Sequence, residues 1–358
     1  MLKRLFLSIF RLIVGIVSIR GSSFAANFFS RFIFELNQGR ALNFATMHLR
    51  PKSADAVLTD SIWKDDSADV CILIQGPILT KDSFTVETVK LYRRIYPNAE
   101  IVLSTWVGSE ELLVELKGLC RTIFSRRPET TGSHNLNLQK TTTFAGIESV
   151  LCRSDINFIL KTRTDQRFYG RDTLSLLKTL WQTYPIDNDS KMAVVGRIVE
   201  LSISICKYRP WSMCDMFQFG HKMDMKKMWD FPDDPRERSA AEYASTPYRV
   251  IDLVNENVAE IRVHRQYADS VGCSSAVNYN AYYSFIKSHF IIIDKELVDL
   301  FWQKYNAHEY GWAGHPLYSE NQLLARFTGA DWMLLHQRGI EDIEFKRFEH
   351  NLLAYEVE

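Results

Sequence analysis

Short apolar runs recur along the middle of the chain and predict the strands of a sheet. Each run is four or five residues long and is dominated by β-branched, aliphatic or aromatic side chains. Runs of this length are typical of strands buried on both faces, because a helix needs more residues. The runs occupy residues 70–74, 100–103, 121–124, 157–161, 192–195 and 290–293.

Longer segments with apolar residues at helical spacing lie between and beyond these runs. They occupy residues 82–96, 109–117, 139–150, 172–184, 295–304 and 319–326. Pro97 and Gly118 follow the first two segments, as expected where helices end. Because strands and helices alternate, we predict parallel βαβ units with right-handed crossovers. The expected fold is α/β, with a mainly parallel, Rossmann-like sheet flanked by helices.

The loops after the first two predicted strands carry candidate binding residues. These residues are Gln75, Gly76, Pro77, Ser104, Thr105 and Trp106. Glycine and proline force a turn that exposes backbone amides, and ligands of open α/β sheets bind where strands end. We therefore expect a nucleotide at this edge, with Gln75, Ser104 and Asp165 close together. Neither G-x-G-x-x-G nor G-x-x-x-x-G-K-[ST] occurs in the chain, which argues against a dinucleotide fingerprint or a P-loop.

A polar stretch before residue 140 offers two more candidates. Asn137 and Gln139 alternate with leucines near the start of a predicted helix. Amide groups both donate and accept hydrogen bonds, as binding to a base, a ribose or a sugar hydroxyl requires. Asparagine at such a position also caps helices, and both interpretations stand at this point.

The strand at residues 157–161 leads into the most strongly charged candidate site. Lys161, Arg163, Asp165 and Arg167 occupy alternate positions. In an extended chain alternate side chains share a face, which would group three cations with one carboxylate. Such a group suits a phosphate, and Asp165 could bind a divalent cation, Mg²⁺ or Mn²⁺. The alternative is a solvated loop in which Asp165 pairs with Arg163 or Arg167.

Two further acids are candidates for a catalytic base. Asp215 lies among apolar residues, where a carboxylate can serve as a proton acceptor or can cap a turn. Glu320 lies at the start of a predicted helix, where a glutamate also complements the helix dipole. His221 has no acid or histidine at helical spacing, which favours a core or surface role over metal ligation.

Aromatic residues are dense between residues 267 and 318. Some belong to predicted core elements, and the rest lie in a loop with Gly311, Gly314 and Pro316. Aromatic rings with one polar end suit polyhydroxylated ligands, so this loop is a candidate for contact with such a ligand, for example a sugar.

The first 34 residues differ in composition from the rest of the chain. They contain five basic residues and no acid, and the longest uncharged apolar run, residues 12–19, is too short to span a bilayer. A narrow polar stripe through Arg4, Ser8 and Arg11 faces a wide apolar surface on a helical wheel. We predict a membrane-interface helix over residues 1–36 that binds anionic lipids. A helix buried against the domain or against a partner subunit is the alternative.

The remaining boundaries follow from composition. Residues 37–69 lose the regular pattern and read as a linker. Residues 70–358, where the predicted strands and helices lie, would form the globular part of the chain.

Charge and cysteine usage limit the partners and the compartment. The 358 residues include 43 basic and 43 acidic side chains, and this zero balance argues against a nucleic-acid partner. The six cysteines form no C-x-x-C pair and read as reduced thiols. Together with the N-terminal segment, this predicts a peripheral protein on the cytoplasmic face of the inner membrane.

Four segments in order resemble the WavE lipopolysaccharide synthesis family. They are residues 73–77, 101–106, 135–139 and 160–165. The resemblance implies a GT-A-like glycosyltransferase, in which an acidic motif at a strand end holds a divalent cation against the diphosphate of a nucleotide-sugar. The motif here would be Arg163-Thr164-Asp165, which has one carboxylate where the family type has two. Lys161, Arg163 or Arg167 could therefore neutralise the diphosphate directly.

The activity implied by the resemblance is transfer of a sugar from a nucleotide-sugar to a glycan or glycolipid acceptor. The resemblance also implies that residues 70–358 form a glycosyltransferase-like catalytic domain, with a nucleotide-sugar half at 70–200 and an acceptor half at 201–358. The product would be a cell-surface glycan such as a lipopolysaccharide core or a capsular polysaccharide. Asp215 and Glu320 are the candidates for a base that activates the acceptor hydroxyl. The alternatives are a sugar-phosphate transferase and a non-catalytic, membrane-bound assembly protein.

Overall fold

A computed structural model describes most of the chain. The described residues are 8–9, 11–13, 15–16, 22–39, 50–57, 66–186, 193–203, 205–237, 249–304 and 326–339. The chain divides into two units, Met1–Pro51 and Lys52–Glu358.

Strands and helices alternate in the first half of the larger unit. The strands are β1 Val70–Gln75, β2 Glu100–Trp106, β3 Arg121–Ser125, β4 Phe158–Arg163, β5 Gln166–Phe168, β6 Ile198–Leu201, β7 Gln218–His221, β8 Phe290–Ile293 and β9 Leu300–Trp302. The helices are α1 Ser22–Gln38 in the smaller unit, then α2 Phe84–Ile95, α3 Leu136–Leu151, α4 Thr173–Thr183, α5 Lys222–Trp229, α6 Val250–Glu256, α7 Ala259–Ser270, α8 Tyr279–His289 and α9 Gly329–Arg338.

The main sheet confirms the predicted α/β fold. Within the described residues its order is β3-β2-β1-β4-β7-β6-β8. The pairings among β3, β2, β1 and β4 are parallel, as is that of β6 with β8, whereas β7 runs antiparallel to both neighbours. The sheet is thus mainly parallel and flanked by helices, and its four parallel neighbours end at one edge.

Strand β1 lies in the middle of the parallel half and is fully buried. Helix α3 packs against β1, β2 and β3. It approaches closely because Gly146 has no side chain; a Cβ there would lie 2.2 Å from Cδ1 of Leu73. The close packing fixes the start of α3 relative to the strand ends.

The second half of the unit is richer in helices than the sequence pattern indicates. Tyr267, Tyr282, Tyr283 and Phe290, part of the aromatic concentration, are buried core residues. The rings between residues 305 and 318, candidates for contact with a polyhydroxylated ligand, lie outside the described residues.

Three predicted elements differ in the structure. Residues 193–195 are not a strand, because the carboxylate of Asp224 accepts hydrogen bonds from the amides of Val195 and Gly196, and β6 begins only at Ile198. The predicted helix at 109–117 is the 3₁₀ segment Glu110–Leu116.

The third difference lies at residues 295–304, which do not form one helix. A 3₁₀ turn, Lys295–Val298, ends at Asp299 in the left-handed region (φ 48°), and strand β9 follows. Strand β9 pairs with β5 in a separate two-stranded sheet. Local periodicity does not reveal this partner because it lies more than a hundred residues earlier.

In the smaller unit, the described residues 8–9, 11–13, 15–16 and helix α1 are helical. Helix α1 ends at Gln38, just beyond the predicted start of the linker. Its exposed apolar side chains include Phe24, Phe28, Phe32 and Leu36, which recur every four residues. No helix within the described residues is long and apolar enough to cross a membrane.

Candidate functional site

A cavity of about 550 Å³ lies where β1, β2 and β4 end. Its lining residues are Gln75, Gly76, Pro77, Ile78, Leu79, Lys81, Trp106, Arg127, His134, Asn135, Leu138, Gln139, Arg163, Thr164, Asp165, Gln303 and Lys304. Gln75 pairs in register with Ser104 of β2 and with Arg163 of β4. The expected meeting of Gln75, Ser104 and the segment around Asp165 is therefore observed.

Seven of the candidate site residues line this cavity. They are Gln75, Gly76, Pro77, Trp106, Gln139, Arg163 and Asp165. The turn at Gly76 has a φ of 122°, and a Cβ there would lie 3.0 Å from Oγ1 of Thr164. Glycine thus lets the β1 turn pass close to the end of β4.

Three other candidates are buried behind the lining. Ser104 and Thr105 have fully buried hydroxyls, and neither has a hydrogen-bond partner among the described residues. Asn137 is also fully buried, and its side chain exchanges hydrogen bonds with the backbone of Asp234 (Nδ2 to O and Oδ1 from N, both 2.8 Å). In this structure Asn137 holds the loop before α3 and does not face the cavity.

Lys161 and Asp215 meet below the cavity. The buried Lys161 ammonium donates to the backbone carbonyl of Asp215 and lies 4.5 Å from the ring centre of Trp229. Gln139, which lines the cavity, donates to the same carbonyl (3.1 Å). Burial lowers the pKa of Lys161 to about 8, against the opposing effect of Asp215. Lys161 therefore supports the wall and does not line it.

A buried polar network extends from Trp229. Its indole donates to Gln218, which donates to the carboxylate of Glu200 (2.7 Å), and His264 Nε2 contacts the same carboxylate at 2.9 Å. Burial raises the pKa of Glu200. Burial opposes the charge on His264, but the interaction with Glu200 outweighs it and raises the pKa of His264. The sequence pattern did not single out this network, because its members are far apart in the chain.

Asp165 is held by two partners at the cavity. Its carboxylate accepts hydrogen bonds from Arg163 (2.9 and 3.2 Å) and from the indole of Trp302 (3.0 Å). Burial alone would raise the pKa of Asp165, but the bonds from Arg163 and Trp302 lower it. Asp165 is therefore ionised at neutral pH and paired with Arg163. The sequence left open whether Asp165 binds a cation or pairs with a neighbouring arginine, and in the structure it pairs with Arg163.

Arg167 does not share a face with Arg163. The chain turns at residues 164–165, and Arg167 lies buried in β5. Its guanidinium donates to Thr88 (2.9 Å), to the carbonyl of Lys52 (2.8 Å) and to the carbonyl of Phe84 (3.0 Å). The predicted row of four alternating charges is wrong, because extended geometry ends at Arg163.

The cavity contains cations that sequence reasoning missed, namely Lys81, Arg127 and Lys304. Lys81 lies in the loop that follows β1 and Arg127 lies in the loop that follows β3, so their position in loops after predicted strands was the available signal. Neither Lys81 nor Arg127 forms an ion pair within the described part of the chain. Four cations and one carboxylate thus line the described wall, which favours an anionic ligand.

Two residues considered in the sequence analysis remain, His221 and Glu320. His221 Nδ1 accepts a hydrogen bond from the amide of Met223 at the start of α5, a structural role. Glu320 lies outside the described residues and stays a prediction.

A family model described as WavE lipopolysaccharide synthesis matches residues 70–346. The chain belongs to the WavE lipopolysaccharide synthesis family. Its four resembling segments all fall within the matched range, and each contains cavity residues of this WavE protein: Gln75, Trp106, Gln139 and Asp165 among others.

Comparison with solved structures finds distant likenesses to this WavE chain. One is 4-diphosphocytidyl-2C-methyl-D-erythritol synthase from Anaerococcus prevotii, with a TM-score of 0.35, 10% identity, and coverage of 71% of this chain and 100% of that chain. Another is mannose-1-phosphate geranyltransferase from Thermus thermophilus, with a TM-score of 0.26, 10% identity, and coverage of 62% and 73%. Likenesses this weak carry no information about activity. No curated protein matches the chain.

The divalent cation implied by the resemblance can be compared with the ligands at hand. Among the described residues, no group of three or more histidine, cysteine, aspartate or glutamate side chains could hold a metal ion. The one carboxylate that lines the described cavity, Asp165, is already bound to Arg163 and Trp302. These residues do not fit a Mg²⁺ or Mn²⁺ site, which needs several oxygen ligands.

The buried position of Lys161 leads to a prediction about stability. The pKa of Lys161 in the folded state lies near 8, below its ordinary value of 10.5. The neutral amine therefore contributes stability that is fully present above about pH 10.5 and is lost as the pH falls through 8. We expect the free energy of unfolding of the wild type to rise relative to Lys161→Met between pH 7.5 and 9.5. Urea unfolding of both proteins across this range measures the difference. If the difference in unfolding free energy between the two proteins does not change with pH, folding does not lower the pKa of Lys161.

Proposed function

We propose that this WavE chain transfers a sugar from a nucleotide-sugar to a growing cell-surface glycan, either a lipopolysaccharide core or a capsular polysaccharide. The observation that carries the proposal is the cationic cavity at the carboxyl edge of the parallel sheet. Ligands of such sheets bind at this edge. Lys81, Arg127, Arg163 and Lys304 supply positive charge there, and Asp165 is the one described carboxylate in the lining.

Charge stabilisation of the leaving group is the main contribution that the site would make. When the bond between the sugar carbon and the phosphate oxygen breaks, the nucleoside diphosphate leaves with added negative charge. Guanidinium and ammonium groups already in place around the cavity lower the energy of that charge, because they need no reorganisation during the reaction. The cavity walls also supply amide donors, Gln75 and Gln139, for hydroxyl groups or phosphate oxygens.

The acceptor hydroxyl needs a base if the configuration at the sugar carbon inverts. Asp215 is half-buried, and its carbonyl is held by Lys161 and by the cavity residue Gln139. This places its backbone directly behind the wall, so Asp215 is kept as a candidate base together with Glu320. Removal of a general base typically slows a reaction by roughly two to four powers of ten.

The identity of the released nucleotide tests this function. When the donor is a nucleoside-diphosphate sugar, glycosyl transfer breaks the bond at the sugar carbon and releases a nucleoside diphosphate, whereas sugar-phosphate transfer breaks the diphosphate and releases a nucleoside monophosphate. We expect the diphosphate when the protein is incubated with nucleotide-sugars and a lipopolysaccharide acceptor extract, and chromatography of the nucleotides measures it. Monophosphate release would favour the sugar-phosphate alternative. Absence of both release and nucleotide binding would favour a non-catalytic assembly protein.

The pair of Asp165 and Arg163 generates a second prediction. Asp165→Asn keeps the shape of the side chain but removes the charge that orients Arg163 at the cavity. We expect turnover to fall by about tenfold, roughly 1.4 kcal/mol of transition-state stabilisation, with a loss of about 1 kcal/mol in the free energy of unfolding. Initial rates with and without a strong chelator, together with urea unfolding, measure both effects.

The same experiment tests the predicted cation. A fall by several orders of magnitude in Asp165→Asn, together with loss of wild-type turnover in the chelator and its recovery on adding Mn²⁺, would instead place a metal at Asp165. Asp155→Asn is a matched control, because Asp155 pairs with an arginine two residues away (Arg153, 2.5 Å) but lies outside the cavity lining.

We also propose a peripheral location on the cytoplasmic face of the inner membrane, through the smaller unit. Phe24, Phe28, Phe32 and Leu36 are exposed on α1, and the basic side chains of residues 1–34 are not balanced by any acid. Transfer of the exposed part of each phenylalanine out of water is favourable, and cations add attraction to anionic lipids.

We expect the triple variant Phe24→Ser, Phe28→Ser, Phe32→Ser to bind vesicles that contain phosphatidylglycerol at least tenfold more weakly than the wild type. The phenylalanines supply apolar area that serine cannot replace. Vesicle co-sedimentation of full-length protein measures the binding. Val114→Ser removes an exposed apolar residue from the larger unit and should bind like the wild type. Equal binding by the triple variant would rule out α1 as the contact surface.

A further inference from the structure

We propose that the start of helix α3, the side-chain amide of Gln75 and the guanidinium of Arg127 form a subsite for the phosphates of the donor. This inference rests on the proposed function and deepens it. It assigns the phosphate contacts to one wall of the cavity and adds Arg127, which the sequence analysis did not single out.

The first turn of α3 carries unusual backbone geometry. His134 and Asn135, directly before the helix, both lie in the left-handed region (φ 55° and 63°). Asn135 occupies the N-cap position, yet no side-chain hydrogen bond caps the helix. Asparagine normally caps such a position, and two consecutive left-handed residues other than glycine are costly. The helix therefore begins with its cap position unused.

One amide at the start of α3 is available to an anion. The first four amides of a helix have no acceptor within the helix. Here the amides of Leu136 and Asn137 donate to the carbonyls of Ser133 and Thr131. The amide of Asn135 donates to the carbonyl of Gly132 (3.2 Å), and the amide of Gln139 makes the first bond within the helix, to the carbonyl of the N-cap residue Asn135. Leu138, which lines the cavity, contributes the remaining amide. The positive end of the helix dipole lies at the same place, which favours a negatively charged ligand.

Gln75 provides an independent indication of a ligand. It is 3% exposed, and its Oε1 accepts a hydrogen bond from the hydroxyl of Thr142 (2.8 Å), which belongs to α3. Its Nε2 makes no hydrogen bond to any described residue, although the residue lines the cavity. An oxygen of a bound ligand would supply the acceptor that this amide group lacks among the described residues.

Arg127 adds the charge. It lies on the loop between β3 and α3, and its guanidinium carbon is 5.5 Å from the ring centre of Trp106. No carboxylate pairs with it among the described residues. A guanidinium stacked on an indole keeps the edges of its planar fork free, and two parallel N–H groups match two phosphate oxygens.

The loop that carries this subsite is fixed from behind. Asn137 exchanges hydrogen bonds with the backbone of Asp234, and the buried carboxylate of Asp234 forms ion pairs with Arg236 (2.7 Å) and Arg262 (3.1 Å). Burial would raise the pKa of Asp234, but these two arginines lower it to about 2. The carboxylate of Asp234, which anchors the loop, therefore stays charged at neutral pH. Asn137 and Asp234 are positioning residues. They hold the loop and the start of helix α3 in place before a ligand binds.

The test is calorimetric titration of the full-length protein with UDP, GDP, CDP and ADP, and with the nucleoside that matches the diphosphate that binds. We expect Arg127→Ala and Gln75→Glu each to raise the Kd of that diphosphate at least about tenfold, with less than a twofold change for the nucleoside. Arg127→Ala should also reduce the salt dependence of diphosphate binding, because one charged contact is lost. Thermal unfolding of each variant shows whether it is folded.

Lys140→Ala is the matched control. Lys140 lies on the same helix but outside the cavity lining and is paired with Asp233 (2.6 Å), so the diphosphate should bind as it does to the wild type. Diphosphate binding unchanged in folded Arg127→Ala and Gln75→Glu would overturn the subsite while leaving the proposed function intact. Equal weakening in Lys140→Ala would also overturn it, because the effect would then be general electrostatics. A wild type that binds none of the diphosphates would overturn the proposed function as well.

Discussion

The backbone hydrogen bonds on both edges of β1 are the constraint on which the site depends. Val70 to Ile74 are entirely shielded from solvent, so every backbone group of this strand must find a partner in β2 or β4. The pairing continues to the turn itself, where the amide of Gly76 donates to Ser104 and the amide of Thr164 donates to Gln75, both at 3.0 Å. Three loops that are distant in sequence are thereby brought to one edge.

Burial decides what each cation of β4 and β5 can do. Lys161, Arg163 and Arg167 look equivalent in the sequence, because each occupies an alternate position in one polar run. Lys161 is enclosed against Trp229, Arg167 is enclosed against Phe84, and Arg163 alone of the three lines the cavity. The difference arises because the chain turns after Arg163 and β5 then pairs with β9, whose residues lie far along the sequence.

The difference between local pattern and distant contacts explains how much of the fold and the site could be predicted from the sequence. Strands β1, β2 and β4 are buried on both faces, and such strands are visible as continuous apolar runs without knowledge of their neighbours. Their order along the chain then places Gln75, Ser104 and Asp165 at one edge. By contrast, the network of Glu200, Gln218 and His264 depends on contacts between segments far apart in the chain, which no local pattern contains.

Loop residues were harder to predict than strand ends for a related reason. Gln139 was predicted because an amide beside a predicted helix is a recognisable signal, whereas Arg127 is one of several cations in a loop of mixed composition. Only the packing of α3 against β1, made close by Gly146, determines which of those cations lines the cavity.

The α3 wall of the cavity combines several departures from ordinary local structure. His134 and Asn135 occupy left-handed backbone positions, the helix cap position is unused, and the amide of Gln75 lacks an acceptor. The two left-handed positions cost stability, by about 1–3 kcal/mol for each strained backbone residue. Folded proteins retain such costs mainly where function requires them, and the surrounding structure must then hold the strained groups in place. The buried Asp234 anchor and the dense packing at Gly146 provide that support, so the wall can present unsatisfied donors to a ligand without collapsing onto itself.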